Sequence, residues 1–243
     1  MITTLLLGWA TLALLFTFGW LWSISHRNAG IVDVLWSLTL AGLVVGFALA
    51  APGDPARRVL IAVCTGLWGL RLGWHILSRL RQEKEEDARY ATLRKHWGKR
   101  ATLYFLPFFQ AQALANVLLA APLLLLMQNE RGLTPWDIAG AALILASVLG
   151  ERAADRQLEA WKRNPANKGK TCRKGLWAWS RHPNYFFEWT HWLAYPLMGV
   201  ALLGTPLAPW WPLTLLGPIV MLALLLRGTG IPHTEKQAVK SRG

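Results

Sequence analysis

Only two cysteines, Cys64 and Cys172, occur in 243 residues, which excludes a disulfide framework as the source of stability. No Cys or His pair stands at zinc-ligand spacing, so no metal is expected. A Gly-x-Gly-x-x-Gly turn after a strand is missing, as are a Gly-Lys-Ser/Thr phosphate loop and a Gly-x-Ser-x-Gly nucleophile turn. Any nucleotide would therefore be held by a pocket among helices, not by a Rossmann fold. Soluble domains, low-complexity linkers and internal repeats are also missing. Acids are scarce, 13 Asp and Glu against 26 Lys and Arg, for a formal charge of +13.

What the chain has in plenty is apolar sequence, 53% of residues against 16% charged. Seven apolar stretches can be drawn, at about 2–24, 30–50, 59–78, 103–127, 135–151, 184–204 and 207–226. Each lies near the roughly 17–25 residues that cross a hydrocarbon core of about 30 Å as helix. The expected fold is all-α, a polytopic membrane bundle of about seven transmembrane helices forming one domain over residues 1–243. The fifth stretch is the weakest and should leave the bilayer as a polar helix to about Lys162. The first begins at Met1 without a basic leader or a small-residue cleavage site, so a retained span is expected there and not a signal peptide.

Charge asymmetry sets an expected orientation. Twenty-two of the Lys and Arg fall on one set of alternate loops, while Arg57, Arg58 and Arg131 fall on the other and Arg71 lies inside a span. The basic side should be cytoplasmic, with the N-terminus outside and the C-terminus inside. Topology and anionic headgroups account for the charge, and nucleic acid is not expected as a partner. Trp20, Trp22, Trp136, Trp210 and Trp211 sit at expected span ends, where indole prefers the interface.

Two basic-side segments are long, about 79–102 and 152–183. The first alternates charge from Lys84 through Glu86, Asp87 and Arg89 to Lys95 and should form a surface helix. The second passes through an Asn164-Pro165 turn signal to Arg181-His182-Pro183, where Pro183 suits the first position of a helix. Beyond it Asn184, Glu188, His191 and Tyr195 share one helical face. A polar stripe on an apolar helix faces protein, water or a ligand, and the amino end of a helix favours anions. An opening on the basic side, at the start of this sixth span, is the expected site.

Other candidates lie elsewhere. Glu151, Asp155 and Glu159 repeat at helical spacing on the fifth helix. Asp33 in the second span could pair with Arg71 in the third, and Asp33 or His75 could relay protons. Gln110, Gln112 and Asn116 on the fourth span suit interhelical hydrogen bonding, with substrate contact as the alternative.

The string Lys174-Gly175-Leu176-Trp177 through Ser180-Arg181-His182-Pro183-Asn184-Tyr185 to Glu188 resembles the signature of the steroid 5-alpha-reductase-like superfamily, in particular its branch of bacterial membrane proteins. Ile31 to Trp36, Leu67 to Leu72, Glu86 to Tyr90, Glu151 to Gln157 and Gly230 to Pro232 with Glu235-Lys236 extend the likeness along the chain. The resemblance implies a reductase of the bacterial inner membrane that takes NADPH from the cytoplasm and reduces a carbon–carbon double bond in a lipid. It places Asn184 at the nicotinamide half, Arg181 and His182 at the phosphates, Asp155 near the nucleotide and Glu188 in the pocket floor. Arg173 and Tyr185 complete the expected cofactor set. Glu188, His191 and His75 are the candidate proton donors.

Two departures stand out. Phe187 occupies a position where many relatives have Gly, and the chain stops at Ser241-Arg242-Gly243 where relatives continue into a Tyr-rich tail. The signature also resembles that of membrane isoprenylcysteine and phospholipid methyltransferases, which would make S-adenosylmethionine the cofactor. A non-catalytic lipid-binding membrane protein is the third alternative.

Overall fold

A computed structural model describes residues 1–82, 85–227 and 230–242. Lys84 and Gly243 lie outside the described residues. Among the described residues there is no strand, and the α-helices are α1 (Ile2–Ser25), α2 (Ile31–Ala50), α3 (Pro55–Gln82), α4 (Ala88–Trp97), α5 (Ala101–Leu126), α6 (Pro135–Arg163), α7 (Pro183–Gly199), α8 (Leu216–Arg227) and α9 (Ile231–Arg242). The chain is a polytopic helical membrane protein. Among the described residues five helical stretches are long and apolar enough to cross a bilayer: 2–25, 31–50, 55–82, 88–126 and 208–227.

The fifth and sixth expected spans do not join them. The second half of α6 is charged, and α7 has 17 residues, about 25 Å of helix, before the chain tightens into a 3₁₀ turn at Val200–Leu202. The third span starts earlier than expected because Asp54 and Pro55 form a helix start. Asp54 Oδ1 accepts the Arg57 N–H at 2.9 Å, and Pro55 takes the first helical position.

By packing the chain divides into two compact units, Met1–Leu133 and Thr134–Gly243. In the first, α2 lies against α3 and α5, and α1 lies against α5. Small residues let the backbones approach. A Cβ on Gly69 would come 2.8 Å from the Ser37 carbonyl oxygen, so bulk there would force α2 and α3 apart. Phe16, Val32, Phe105, Phe109 and Ala113 are part of the core.

Polar residues inside this unit are spent on helix contacts. Asn116, fully buried, donates to the Trp36 carbonyl and to Thr39 Oγ1, both at 2.9 Å. Gln110 donates to Thr17 Oγ1 at 3.0 Å. Half-buried Gln112 makes no hydrogen bond among the described residues. Arg57, 1% exposed, donates to the carbonyls of Asn129, Arg131 and Gly132 at 3.2, 2.7 and 3.0 Å. Arg58 caps the end of α2 through the Ala48 and Ala51 carbonyls. Both arginines, in the first turn of α3, are therefore structural clamps.

The second unit is built on α6 and α7, with α8 against α7 and α9 against α8. Thr134 and Asp137 form a capping box: the Thr134 N–H and hydroxyl donate to Asp137 Oδ2 at 2.8 and 2.7 Å. Gly140 faces Ala194 and Met198, Gly150 faces Phe187, and Asp155 faces Asn184, so the two helices run antiparallel. The Phe187 ring packs on Gly150, where a Cβ would come within 2.5 Å of its Cδ1 and Cζ atoms. The bulk that departs from the resembled pattern is accommodated by a glycine on the facing helix.

Candidate functional site

The site forms where the long loop after α6 turns into α7. Gly175, at φ +58°, turns the loop back onto α6. The Leu176 N–H then donates to Gln157 Oε1 at 2.9 Å, and Trp177 Nε1 donates to the Ala154 carbonyl at 2.8 Å. This anchoring carries Arg181 and His182 to the amino end of α7, where Pro183 stands at the first position as expected.

Asn184 is the first ridge residue. Its Nδ2 donates to Asp155 Oδ1 at 3.4 Å, and its Oδ1 is buried with no hydrogen-bond partner among the described residues. Leaving a buried carbonyl oxygen unsatisfied costs about 1–3 kcal/mol, so this atom is primed for a donor. One turn on, half-buried Glu188 accepts from Trp192 Nε1 at 3.3 Å. Deeper still, His191 and Tyr195 are each 1% exposed and share a hydrogen bond of 3.0 Å between Nε2 and the phenol oxygen. The stripe is thus graded from a half-buried outer end to a closed interior.

α9 also reaches the amino end of α7. Glu235 meets His182 Nε2 at 2.8 Å and Arg181 at 3.4 Å, and Thr234 shares a 2.9 Å hydrogen bond with the Tyr185 hydroxyl. The His182 and Tyr185 rings stack with centroids 5.4 Å apart. Arg173 is exposed on the loop. The structure therefore brings Asp155, Arg181, His182, Asn184, Tyr185 and Glu188 together within the second unit. Glu235 is marked by the resemblance and Thr234 is not, but the contact of either with the α7 turn escapes sequence reasoning, because nothing in local spacing ties α9 to a turn some fifty residues earlier.

The remaining candidates belong to the first unit. His75 is exposed on α3, and Arg71 is half-buried one turn before it. The expected pairing of Asp33 with Arg71 is not what forms. Asp33 instead accepts from Arg89 Nη2 at 2.7 Å and from the Tyr90 hydroxyl at 2.6 Å, both on α4. The reason is position: both residues lie in the first turn of α4, which Asp87 caps by accepting the Arg89 N–H at 2.9 Å. Burial pushes the Asp87 carboxyl up, but hydrogen bonds from the Arg89 side chain and backbone and the charges of Arg89 and Arg79 outweigh it. The net effect holds Asp87 below the ordinary carboxylate range. Glu86 adds a two-pronged pair with Arg94 at 2.9 and 2.8 Å and accepts the Ala29 N–H at 2.7 Å.

Two of the hollows among the described residues border the first unit. One is an open apolar groove of about 510 Å³ along Pro55, Val59, Val63 and Leu133, and the other, about 10 Å³, lies beside Asp33, Arg79 and Asp87 with room for one water. Neither is lined by the α7 ridge. Among the described residues no three His, Cys, Asp or Glu side chains cluster as metal ligands.

Helices long and apolar enough to span, with a polar ridge at the amino end of α7, define a multi-span α-helical membrane protein. The chain belongs to the family described as "Protein of unknown function (DUF1295)", whose pattern matches residues 19–243. It is also similar to "Uncharacterized protein C594.04c" of the fission yeast Schizosaccharomyces pombe, with 30% identity over 209 residues, covering 74% of this chain. The chain spans 60% of that relative's length. No solved structure matches.

Proposed function

We propose that this chain is an NADPH-dependent reductase of a carbon–carbon double bond in a membrane lipid. The observation that carries the reading is the buried, unpartnered Asn184 Oδ1 beside Asp155 at the amino end of α7, directly after two basic residues. The residues present fit the cofactor. A carboxamide oxygen in need of a donor suits the amide N–H of nicotinamide, and Asp155 can accept from a ribose hydroxyl. Arg181 and Arg173 offer positive charge, and His182 a ring nitrogen, where a helix start already favours phosphate. The signature around these residues, which resembles that of the steroid 5-alpha-reductase-like superfamily, points the same way.

When bound, the cofactor supplies the hydride; the chain supplies orientation, dryness and a proton. Asn184 would hold the nicotinamide plane, and Arg181 and His182 would bind phosphate. Glu188, one turn into α7, is the carboxyl best placed to hold a proton near that helix start. The His191–Tyr195 hydrogen bond lies behind it as a buried proton store. Apolar substrate would reach the site from the bilayer, and the basic loops would face the cytoplasm of a bacterial inner membrane.

Thermal stability of the purified protein, followed during separate titrations with NADPH and with S-adenosylmethionine, tests this. A ligand present at 100 Kd adds about 2.7 kcal/mol. NADPH should stabilise, and Asn184→Ala should weaken its binding by up to about tenfold, the worth of one hydrogen bond. Stabilisation by S-adenosylmethionine alone would replace the reductase with a methyltransferase. Silence with both would leave a lipid-binding protein.

A further inference from the structure

Between Glu159 and Glu188 the chain carries seven Lys and Arg and no acid. This segment is held in place at three points. Asn167 Nδ2 donates to the Trp161 carbonyl at 2.9 Å, and the Leu176 and Trp177 bonds to Gln157 and Ala154 fasten its far end. From that fixed base Trp179 projects with 93% of its surface exposed. Lys168, Lys170 and Lys174 are exposed on the same segment. An indole left almost wholly exposed, on a loop fastened near both ends, is free to be buried by something else.

Its depth follows from the anchoring. Trp177 is bonded to Ala154, one turn past Glu151, where the apolar stretch of α6 gives way to charge. α7 begins four residues after Trp179, at Pro183. Trp179 therefore stands at the level where both helices pass from apolar to charged sequence. That is the depth at which tryptophan gains most from an amphipathic interface.

We propose that Trp179, Lys168, Lys170 and Lys174 form a lipid-contacting surface, with the indole seated among the headgroups and the three lysines binding the phosphates of anionic phospholipids. Charge complementarity selects this occupant: a segment without acids of its own repels cationic partners, and it leads into α7, which packs against α8 of the apolar 208–227 stretch. The proposal is independent of the reductase reading, since none of these four residues belongs to the nucleotide set.

The test uses the full chain in vesicles of phosphatidylcholine with or without phosphatidylglycerol. Trp179→Phe isolates one indole among the 15 by difference. The Trp179 contribution should be quenched by lipids brominated near the headgroup and shielded from acrylamide. Spin-labelled phosphatidylglycerol should be retained over phosphatidylcholine, and replacing the three lysines by Gln should lower that preference roughly fivefold per lysine. Three results would overturn the proposal: Trp179 emission open to acrylamide and untouched by bromolipid, a lipid preference unchanged by the lysine substitutions, or displacement of the labelled lipid by soluble glycerophosphate.

Discussion

Gly150→Ala should destabilise the second unit in the native chain and stabilise it once Phe187 is cut back to Ala. The added Cβ would come within 2.5 Å of Cδ1 and Cζ of Phe187, about 1 Å inside van der Waals contact. Overpacking of this kind costs about 1–3 kcal/mol. Against it stands the gain of about 0.5–1 kcal/mol from replacing a glycine within a helix. The net loss in the native chain is then about 0–2.5 kcal/mol. On the Phe187→Ala background the clash disappears and only the gain remains, so the sign reverses. Equilibrium unfolding of the four proteins in mixed micelles, followed by far-ultraviolet circular dichroism, measures the cycle. A coupling energy of about 1–3 kcal/mol is expected, and additivity within about 0.5 kcal/mol would refute the α6–α7 register on which the site is built. Because Phe187 lies between Asn184 and Glu188, Gly150→Ala should also loosen NADPH binding, and Phe187→Ala should restore part of it.

Asp33→Asn should cost about 1.5–3 kcal/mol, nearer the lower figure because Asp33 and Arg89 are about a quarter exposed, and hydrogen exchange should show α4 opening first. Asp87 has a lowered carboxyl pKa, so its stabilisation is present above the unfolded value of about 3.9 and is lost as pH falls through the lower folded value. Asp87→Asn should flatten that part of the acid limb of α4 protection, and an unchanged limb would contradict the Arg89 and Arg79 contacts. Arg57→Gln should cost about 3–5 kcal/mol, since it strips a buried cation from three carbonyls, and a midpoint within error of the native chain would show that water satisfies them equally well.

Much of this arrangement is legible in local sequence. Apolar runs mark the helices, Pro183 marks the start of α7, and the Asn184–Glu188–His191–Tyr195 spacing marks its polar face, because each depends on residues within a turn or two. Asp54-Pro55 carried a readable helix start that the apolar run alone set four residues too late. The rest depends on contacts that no periodicity encodes. Asp33 meets Arg89 and Tyr90 across more than fifty residues, and the choice of Arg89 over Arg71 is made by where the Asp87 cap starts α4. Arg57 reads as a loop charge until the α5–α6 connection folds over it. Phe187 reads as an obstruction until Gly150 is seen beneath it, and Glu235 becomes part of the site only when α9 lies across the α7 turn.

The central claim is that the amino end of α7 holds a nicotinamide dinucleotide for hydride transfer to lipid. Its most direct test supplies the purified chain, in native membrane lipid, with NADPH deuterated at the transferable position and follows the lipids by mass spectrometry. The account predicts one lipid class gaining a single deuterium at a former double bond, with the gain lost in Asn184→Ala. Unlabelled lipids, alongside a methyl group acquired from S-adenosylmethionine, would contradict it.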